Sequence, residues 1–482
     1  MIQDNERQAV TTADIREAGP ILHFRSHDAA GLSLAALSVR PEGAAAPGPV
    51  ETKTAKIAPR RIARLAGLDF WRHDFTLAVG EDGYRLDGRL HPVATRLEGD
   101  LRIGFVSCNG EEDGDLDRDP QERNLMWSRL LEQHESAPFA LLLQGGDQIY
   151  ADEATKGHPL SEDWPDSVPS DPGAEALEGL RAHLRDRFAR RYLRVLTADP
   201  CERLFAEIPA LSIWDDHDIC DGWGSQPAES THSAVGRLLF SVAREMYLLF
   251  QHAATDADIP DLFWEPSGRN LGWRRDLPGL TIFAPDLRSQ RERRQVMGEA
   301  GWRPAETLES DAAHVFMVSS VPLLGPRLSL LESVMAVIPK MQHYEDDLRD
   351  QWQSRAHRDS WRRMLGAVLR MRQKAAVTVL SGEIHLATRA DMGPDQTQIH
   401  QLVASGISHR APPRNYARVL GWFASLGESP LPHHPVRIHP LPGQRRRYVA
   451  QRNFLTLQRR DGRWQAVWHL EDSGATPGLP LD

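Results

Sequence analysis

The sequence predicts an α/β protein that is preceded by a small all-β sandwich. After residue 98, apolar strand-like runs alternate with long helical stretches. Those runs are apolar without a polar alternation, which is typical of strands buried on both faces, so helices must cover the sheets. Before residue 98 the runs are short, are split by turn residues and have no helical period, as in a β-sandwich.

The elements follow in that order along the chain. We expect a domain over residues 1–98, with a disordered polar start and the β-sandwich, and a second domain over residues 99–482. The second domain has two long predicted helices, in "LRAHLRDRFARRYLRVLTA" and "VGRLLFSVAREMYLLFQHA", and a closing hairpin in "RNFLTLQRR" and "RWQAVWHLE". Its six predicted strands are "LRIGFVSC", "FALLLQGGD", "PALSIWDD", "LTIFAPDLR", "HVFMVSSVP" and "AVTVLSGEIH".

Composition excludes several classes of protein. The net charge of −10 argues against a broad electrostatic surface for extended nucleic acid or an anionic membrane. Three cysteines in 482 residues are too few for a disulfide framework. The N-terminus has no basic and apolar signal pattern, and no apolar run reaches the ~18 residues of a membrane span. We therefore expect a cytoplasmic protein without membrane association, and the sequence does not predict its oligomeric state.

Polar clusters stand at the carboxyl ends of the predicted strands, where open α/β sheets bind ligands. Cys108 and Asn109 follow the first strand, although a strand cysteine is more often a small apolar residue. Asp147 and Tyr150 follow the second strand, after two glycines that permit a sharp turn. If a helix begins there, both side chains share one face, and Asp147 could alternatively serve only as a helix cap.

The third strand ends in "IWDDHD", the densest of these clusters. A helix dipole could tolerate one or two acids, but not three acids around a histidine. Hard cations require such anionic oxygen ligands, and the histidine would be a ligand or a proton donor beside them. The residues are Asp215, Asp216, His217 and Asp218.

Two later strands deliver further polar residues. Glu383 and His385 are two apart after an apolar strand, and in extended backbone they point to the same side. Arg288 lies two residues after Asp286, and its guanidinium suits a phosphate or a carboxylate. By contrast, "DGDLDRDPQERN" lacks the glycine and glutamate of a calcium loop, so we interpret it as a solvated acidic loop, with lining of the site entrance as the alternative.

In this order and spacing, the motifs "SCN", "GGDQIYAD", "IWDDHD", "DLRSQR", "SSVP" and "SGEIH" resemble the PhoD-like alkaline phosphatases of the metallophosphoesterase superfamily. The resemblance spans about residues 100–410. It implies a four-layer αββα catalytic domain, and it is compatible with a small β domain before it. It also implies a multinuclear metal site. Together with the acidic net charge, it leads us to expect a small phosphate-ester substrate and no extended nucleic acid.

The resemblance implies a role for each motif residue. Cys108, Asp147 and Tyr150 would hold Fe³⁺, and Asp147 would bridge to a second site for Ca²⁺, with Mn²⁺, Mg²⁺ or Zn²⁺ as alternatives there. His217 would be the catalytic histidine and Asp218 the acid that orients it. Asp216, Glu383 and His385 match metal-binding positions, with Glu383 standing where the family has Asp, and Asp215 is a further candidate ligand.

These side chains suit the chemistry of phosphoric-ester hydrolysis. Two close cations produce hydroxide near neutral pH and clamp the attacking and leaving oxygens. His217 would protonate the leaving oxygen, and Arg288 would hold a non-bridging phosphoryl oxygen. The leading hypothesis is therefore a metal-dependent hydrolase of phosphodiesters or phosphomonoesters. The alternatives are a non-catalytic metal-binding protein with a degenerate site and a nuclease for short or single-stranded substrates.

Overall fold

Two large β-sheets pack face to face in the computed structural model, which describes residues 17–326, 350–394, 398–425 and 427–481. In spatial order, the first sheet contains Gly474–Ala475, Arg463–Leu470, Asn453–Arg460, Leu101–Val106, Leu141–Gly145, Ala210–Ile213, Ala18–Asp28, Gly31–Pro41, Leu68–Leu77 and Arg60–Leu65, with Leu479–Pro480 beside Arg463–Leu470. The second contains Trp273–Leu277, Leu280–Ala284, His314–Ser319, Ala376–Ser381, Ile399–Val403, Ala387–Met392, His434–His439 and Glu428–Leu431, with Tyr448–Val449 beside Ala387–Met392.

All six strands predicted after residue 98 are present, and they are parallel to their neighbours among these six within each sheet. Every residue of Leu141–Gly145 and of His314–Ser319 is buried, because each strand is covered on both faces. Indole groups join the two sheets: Nε1 of Trp273 donates to the carbonyl of Ser212 at 2.7 Å, and Nε1 of Trp468 donates to the carbonyl of Val403 at 2.9 Å.

Helices cover the outer face of each sheet and complete the predicted four layers. The α-helices are Pro120–Arg123, Leu125–Ser136, Ala174–Leu196, Asp199–Glu207, Ala228–Thr231, Ala234–His252, Ile259–Leu262, Glu299–Thr307, Arg358–Arg372 and Arg414–Ala424. Short 3₁₀ turns cover Asp115–Asp117, Asp152–Thr155, Asp216–Asp218, Asp256–Asp258 and Arg355–His357.

The helix Ala234–His252 illustrates how local sequence sets these elements. Ser233 caps its start by accepting a hydrogen bond from the amide of Gly236 at 2.9 Å. Apolar residues recur at helical spacing and are buried against the first sheet and against Ala174–Leu196. The helix ends at Ala253, whose φ of 43° is left-handed.

The strands before residue 98 form two layers. Four of them extend the first large sheet, because Ala18–Asp28 pairs in parallel with Ala210–Ile213, with His23 opposite Ala210. The others form a four-stranded sheet, in the order Lys56–Ile57, Val50–Glu51, Gly83–Leu86 and Arg89–Pro92. The α/β architecture with a strand-rich start is confirmed. The division into domains at residue 98 stays a prediction, and hydrogen bonding of the sheet crosses it.

The closing hairpin is also present: Asn453–Arg460 pairs with Arg463–Leu470 and returns to the first sheet beside Leu101–Val106. The predicted disordered start lies at residues 1 to about 15, outside the described residues. Among the residues that the structure describes, no helix combines the length and the apolar composition needed to cross a bilayer.

Candidate metal centre

The carboxyl ends of the parallel strands of both sheets meet at one place. Within the first sheet, the amide of Cys108 donates to the carbonyl of Gly146 at 3.2 Å, which joins the ends of two neighbouring strands. Across the sheets, Oγ of Ser320 donates to Oδ1 of Asp215 at 2.7 Å. Gly146 fits between them only because it lacks a side chain, since a Cβ there would lie 2.8 Å from Cβ of Asp215.

Three buried carboxylates form the centre of this place. Asp147, Asp215 and Asp216 each offer an oxygen, and these oxygens lie within 4.8 Å of one another. Oδ1 of Asp147 and Oδ2 of Asp215 are buried without a hydrogen-bond donor among the described residues. Burial, and then the charge of Asp215, raise the pKa of Asp147 well above its usual range, and burial raises the pKa of Asp215 to about 6. A cation among these oxygens would therefore favour the ionised form of both carboxyl groups.

Cys108 borders the carboxylates. Its Sγ lies 3.4 Å from Oδ2 of Asp147 and 3.1 Å from Oγ of Ser405. Burial, and then the charge of Asp147, raise the pKa of this thiol well above its ordinary value. A coordinated cation reverses that effect, because a coordinating thiol is deprotonated. The environment is therefore unfavourable for a free thiolate and suited to a metal-bound one.

Tyr150 and His385 contact each other beside these residues. The hydroxyl of Tyr150 is 3.0 Å from Nε2 of His385, and both ring systems are largely enclosed. Burial and the charge of Cys108 raise the pKa of the Tyr150 phenol well above its ordinary value. Glu383, two residues before His385, accepts hydrogen bonds from Nε2 of Gln351 at 2.7 and 2.6 Å.

Backbone conformation singles out the same residues. Four predicted ligands have φ in the left-handed region: Cys108 at 56°, Asp147 at 54°, Glu383 at 65° and His385 at 53°. Residues other than glycine seldom adopt this conformation, and strained positions of this kind cluster at functional sites. Their shared strain is independent of the side-chain chemistry and points to the same place.

His217 is held by a carboxylate other than the predicted one. Its Nδ1 lies 3.0 and 3.1 Å from the two oxygens of Asp152. Although burial alone lowers the pKa of this imidazole, the charges of Asp152 and Asp216 raise it well above the usual value. The prediction that Asp218 orients His217 is wrong: Asp218 is a buried acceptor for the amides of Asp215, Gln148 and Ile149 at 3.0–3.3 Å, and it stabilises the loop.

The predicted contact of Arg288 with a phosphoryl oxygen also requires correction. The side chain is 0% exposed, and its guanidinium is occupied on all three nitrogens. Nε donates to Asp215, Nη1 donates to the carbonyl of Trp223 at 3.1 Å, and Nη2 contacts Asp216 at 3.2 Å and Asp350 at 2.6 Å. Arg288 is therefore an internal cation that neutralises carboxylates. Asp350 was not predicted.

The acidic loop after Cys108 is only partly solvated, unlike the prediction. Asp115 is fully buried, with Nε of Arg123 at 3.0 Å and Nη1 of Arg118 at 3.1 Å, because a buried carboxylate needs such partners. That this loop lines the site entrance stays a prediction, but the residue just before it, Glu112, lies at the site. Oε1 of Glu112 lies 3.3 Å from Nε2 of His409, and the ring of His409 stacks on that of His385 at 3.4 Å between centroids.

Ten side chains were predicted at the site, and the structure brings nine of them together. The tenth, Asp218, stabilises the adjoining loop. A second group that could hold a cation, Asp216, His217 and Asp221, overlaps it. The three carboxylates have the donor set of a hard cation, and thiolate and phenolate donors adjoin them, so the residues present fit a metal centre. The identity of the metals stays a prediction.

Known proteins share the fold and part of the sequence of this chain. The solved structure titled "Structure of PhoD" superposes with a TM-score of 0.54 at 12% identity, covering 95% of this chain and 88% of that chain. An uncharacterized protein of Saccharomyces cerevisiae, YGR266W, is 24% identical over an alignment of length 422 that takes in 72% of this chain. This chain spans 59% of the length of that relative.

A family model matches the part of the chain that carries most of the centre. Its description is "PhoD related phosphatase", and it matches residues 93–344, just over half of the chain. This range includes Cys108, Asp147, Tyr150, His217 and Arg288. The chain therefore belongs to the PhoD related phosphatase family.

Proposed function

We propose that this chain is a metal-dependent hydrolase of phosphoric esters. The observation that carries the proposal is the buried trio of Asp147, Asp215 and Asp216, which includes two carboxylate oxygens without a hydrogen-bond donor. Burying such oxygens without a partner is costly, and a cation supplies the missing charge. Membership of a phosphatase family supports a phosphoryl group as the reacting centre.

Two neighbouring cation positions are compatible with the side chains. Cys108, Asp147 and Tyr150 would hold Fe³⁺, since thiolate, phenolate and carboxylate together offset much of its charge. Asp147, Asp215 and Asp216 would hold Ca²⁺ or another divalent ion such as Mn²⁺, with Glu383 and His385 beside them. When bound, such ions supply a hydroxide nucleophile near neutral pH and neutralise phosphoryl oxygens.

The protein's own contribution to proton transfer is the pair of His217 and Asp152. Asp152 accepts from Nδ1 and thereby fixes the ring, which leaves Nε2 as the nitrogen that faces the site entrance. The charges of Asp152 and Asp216 raise the pKa of His217, which favours the form that carries a proton on Nε2 and could donate it to the leaving oxygen. A positioned general acid contributes about 10²–10⁴-fold to such a step.

Substrate and location are also part of the proposal. The net charge of −10 favours small esters over extended nucleic acid, and both diesters and monoesters belong in the assay. Action in the cytoplasm on a small phosphate ester is our expectation from the sequence.

The proposal is tested by hydrolysis of nitrophenyl phosphate and bis-nitrophenyl phosphate by the purified chain, with and without a chelator. We expect activity that the chelator removes, that Asp147→Asn abolishes and that His217→Ala lowers about 10²–10⁴-fold. His232→Ala, which changes a histidine with a 63% exposed side chain, is the matched control and should retain activity. A short single-stranded oligonucleotide in the same assay tests the nuclease alternative.

Equal activity in all samples would refute the mechanism, because neither the metal nor His217 would then contribute. No hydrolysis of any ester, together with tight retention of metal that Asp147→Asn removes, would favour the non-catalytic metal-binding alternative. That second outcome separates the metal centre from the reaction.

A further inference from the structure

One oxygen of Glu112 lies where two histidine rings converge. Oε1 of Glu112 is 3.3 Å from Nε2 of His409 and 4.0 Å from Nε2 of His217. The two rings flank Tyr150, with centroid distances of 4.2 Å for His217 and 5.5 Å for His409. The position of this carboxylate oxygen is therefore defined by two imidazoles from distant parts of the chain, at the entrance of the proposed reaction centre.

Both imidazoles direct Nε2 toward that oxygen. Nδ1 of His217 faces Asp152 at 3.0 Å, and Nδ1 of His409 faces the carbonyl of Arg410 at 2.7 Å. Because these oxygens occupy the Nδ1 atoms, Nε2 is the nitrogen of each ring that is turned to Glu112. Nε2 of His409 is within hydrogen-bond distance of Oε1, and Nε2 of His217 faces the same oxygen from 4.0 Å.

The loop that carries Glu112 is built to reach this position. Gly110 allows the loop to lie against Tyr150, since a Cβ at this residue would be 2.8 Å from Cδ2 of the ring. The neighbouring acid Glu111 turns elsewhere and pairs with Arg118 at 3.3 Å and Arg410 at 3.2 Å. Adjacent carboxylates therefore have different environments, and Glu112 is the one at the histidines.

Exposure distinguishes the carboxylate from its partners. The side chain of Glu112 is 43% exposed, whereas those of His409 and His217 are 13% and 9% exposed. The imidazoles are held by packing and by their Nδ1 contacts, whereas the half-exposed carboxylate can move into solvent, where water hydrates its charge. A half-exposed ion pair is also weak enough to be displaced by a competing anion.

We propose that His409 and His217 together bind an oxygen of the substrate's phosphoryl group, and that Glu112 occupies this position in the protein without substrate. This deepens the proposed function and rests on it, since it names His409 as a substrate-binding residue and Glu112 as an internal competitor for the same donors. A phosphoryl oxygen and a carboxylate oxygen have the same charge and accept the same hydrogen bonds. Removing the charge of Glu112 should strengthen anion binding, and removing His409 should weaken it.

The test is the affinity for inorganic phosphate, measured by titration calorimetry on the full chain as purified, with the metal content matched between variants. We expect Glu112→Gln to lower the Kd about fivefold, as the loss of a half-exposed competing pair allows. We expect His409→Gln to raise the Kd about tenfold through the loss of one donor to an anion. Glu111→Gln removes an adjacent charge that does not face the histidines, and it should leave the Kd unchanged.

The inference is overturned if Glu112→Gln leaves the phosphate affinity unchanged, or if Glu111→Gln changes it as much. It is also overturned if His409→Gln binds phosphate as tightly as the parent chain at equal metal content. The measurement requires no turnover. If the expected shifts in Kd occur but the chain hydrolyses no ester, the result would contradict the proposed function and leave this inference standing. Where hydrolysis is present, KM should follow the phosphate Kd in each variant.

Discussion

Replacement of Arg288 by methionine gives the most direct test of the charge arrangement at this centre. Methionine retains much of the unbranched apolar stem and removes the guanidinium. The deleted group is fully buried and contacts Asp215, Asp216 and Asp350. Arg288→Met therefore removes one positive charge from among three buried carboxylates without opening a large cavity.

The size of the effect follows from what each carboxylate retains. Asp350 keeps Nε of Arg291 at 2.8 Å, Asp215 keeps the hydroxyl of Ser320, and Asp216 keeps an amide at 3.0 Å. None of the three is left without any partner, but Asp215 and Asp216 lose their arginine partner. Breaking a buried ion pair by removing one partner costs about 3–5 kcal/mol, and the remaining contacts place the expected loss near the lower value.

The assay is urea unfolding followed by tryptophan fluorescence, which the 13 tryptophans of the chain make sensitive. We expect a lower midpoint for Arg288→Met and an unchanged slope, since the exposed surface is similar. Arg294→Met, at an exposed arginine, is the matched control, and its free energy of unfolding should change by less than about 0.5 kcal/mol.

Adding a divalent cation should restore more stability to Arg288→Met than to the parent chain, because the variant's carboxylates lack their internal cation. A loss below about 1 kcal/mol, equal to that of the control, would refute the view that Arg288 neutralises this cluster. If Arg288→Met lowers the affinity for phosphate, and no other variant with a similar stability loss does so, the predicted contact of Arg288 with the substrate would be restored.

Three further predictions concern other parts of the molecule. Asp152→Asn should lower kcat about tenfold to a hundredfold with little change in KM, whereas Asp218→Asn should mainly destabilise the fold, because Asp152 and not Asp218 contacts Nδ1 of the imidazole. If Fe³⁺ is bound, the native protein should have a phenolate-to-iron absorption band in the visible range, and Tyr150→Phe should lose it at an equal iron content. Burial lowers the pKa of His314 to about 3, below the ~6.5 of an unfolded histidine. The neutral ring is thus favoured on folding, so stability is complete above pH 6.5 and declines as the pH falls toward 3. The decline is about 2 kcal/mol at pH 5, and His314→Gln should remove this part of the acid sensitivity in urea titrations at pH 7 and 5.

The strands and the location of the centre could be predicted because both have local signals. An apolar run followed at once by acids, as in "ALSIWDDHD", identifies a buried strand and its functional end together. His409 lacks this signal, because it follows the strand Ile399–Val403 by six residues and no acid stands between them. That strand was not among the six predicted, so its polar end was not considered.

The partners of the site residues could not be predicted in the same way. Asp218 is adjacent to His217 in "IWDDHD", whereas Asp152 stands in "GGDQIYAD", 65 residues earlier, and only the three-dimensional path of the chain decides which carboxylate meets Nδ1. Asp350 lies 62 residues after Arg288, and no periodicity links them. The internal role of Arg288 could not be predicted because its partner Asp350 was not identified. The predicted contact with a phosphoryl oxygen would require a guanidinium that faces solvent.

The pairing of Ala18–Asp28 with Ala210–Ile213 has a practical consequence for dissecting this protein. A fragment that begins at residue 99 would contain every proposed metal ligand, yet the strand that leads to Asp215 and Asp216 would have lost its neighbour. Its free amides and carbonyls would form an open edge, which other chains readily join. The N-terminal strands therefore cover this edge. Shortened versions of the protein should retain Ala18–Asp28 so that its pairing with Ala210–Ile213 is kept.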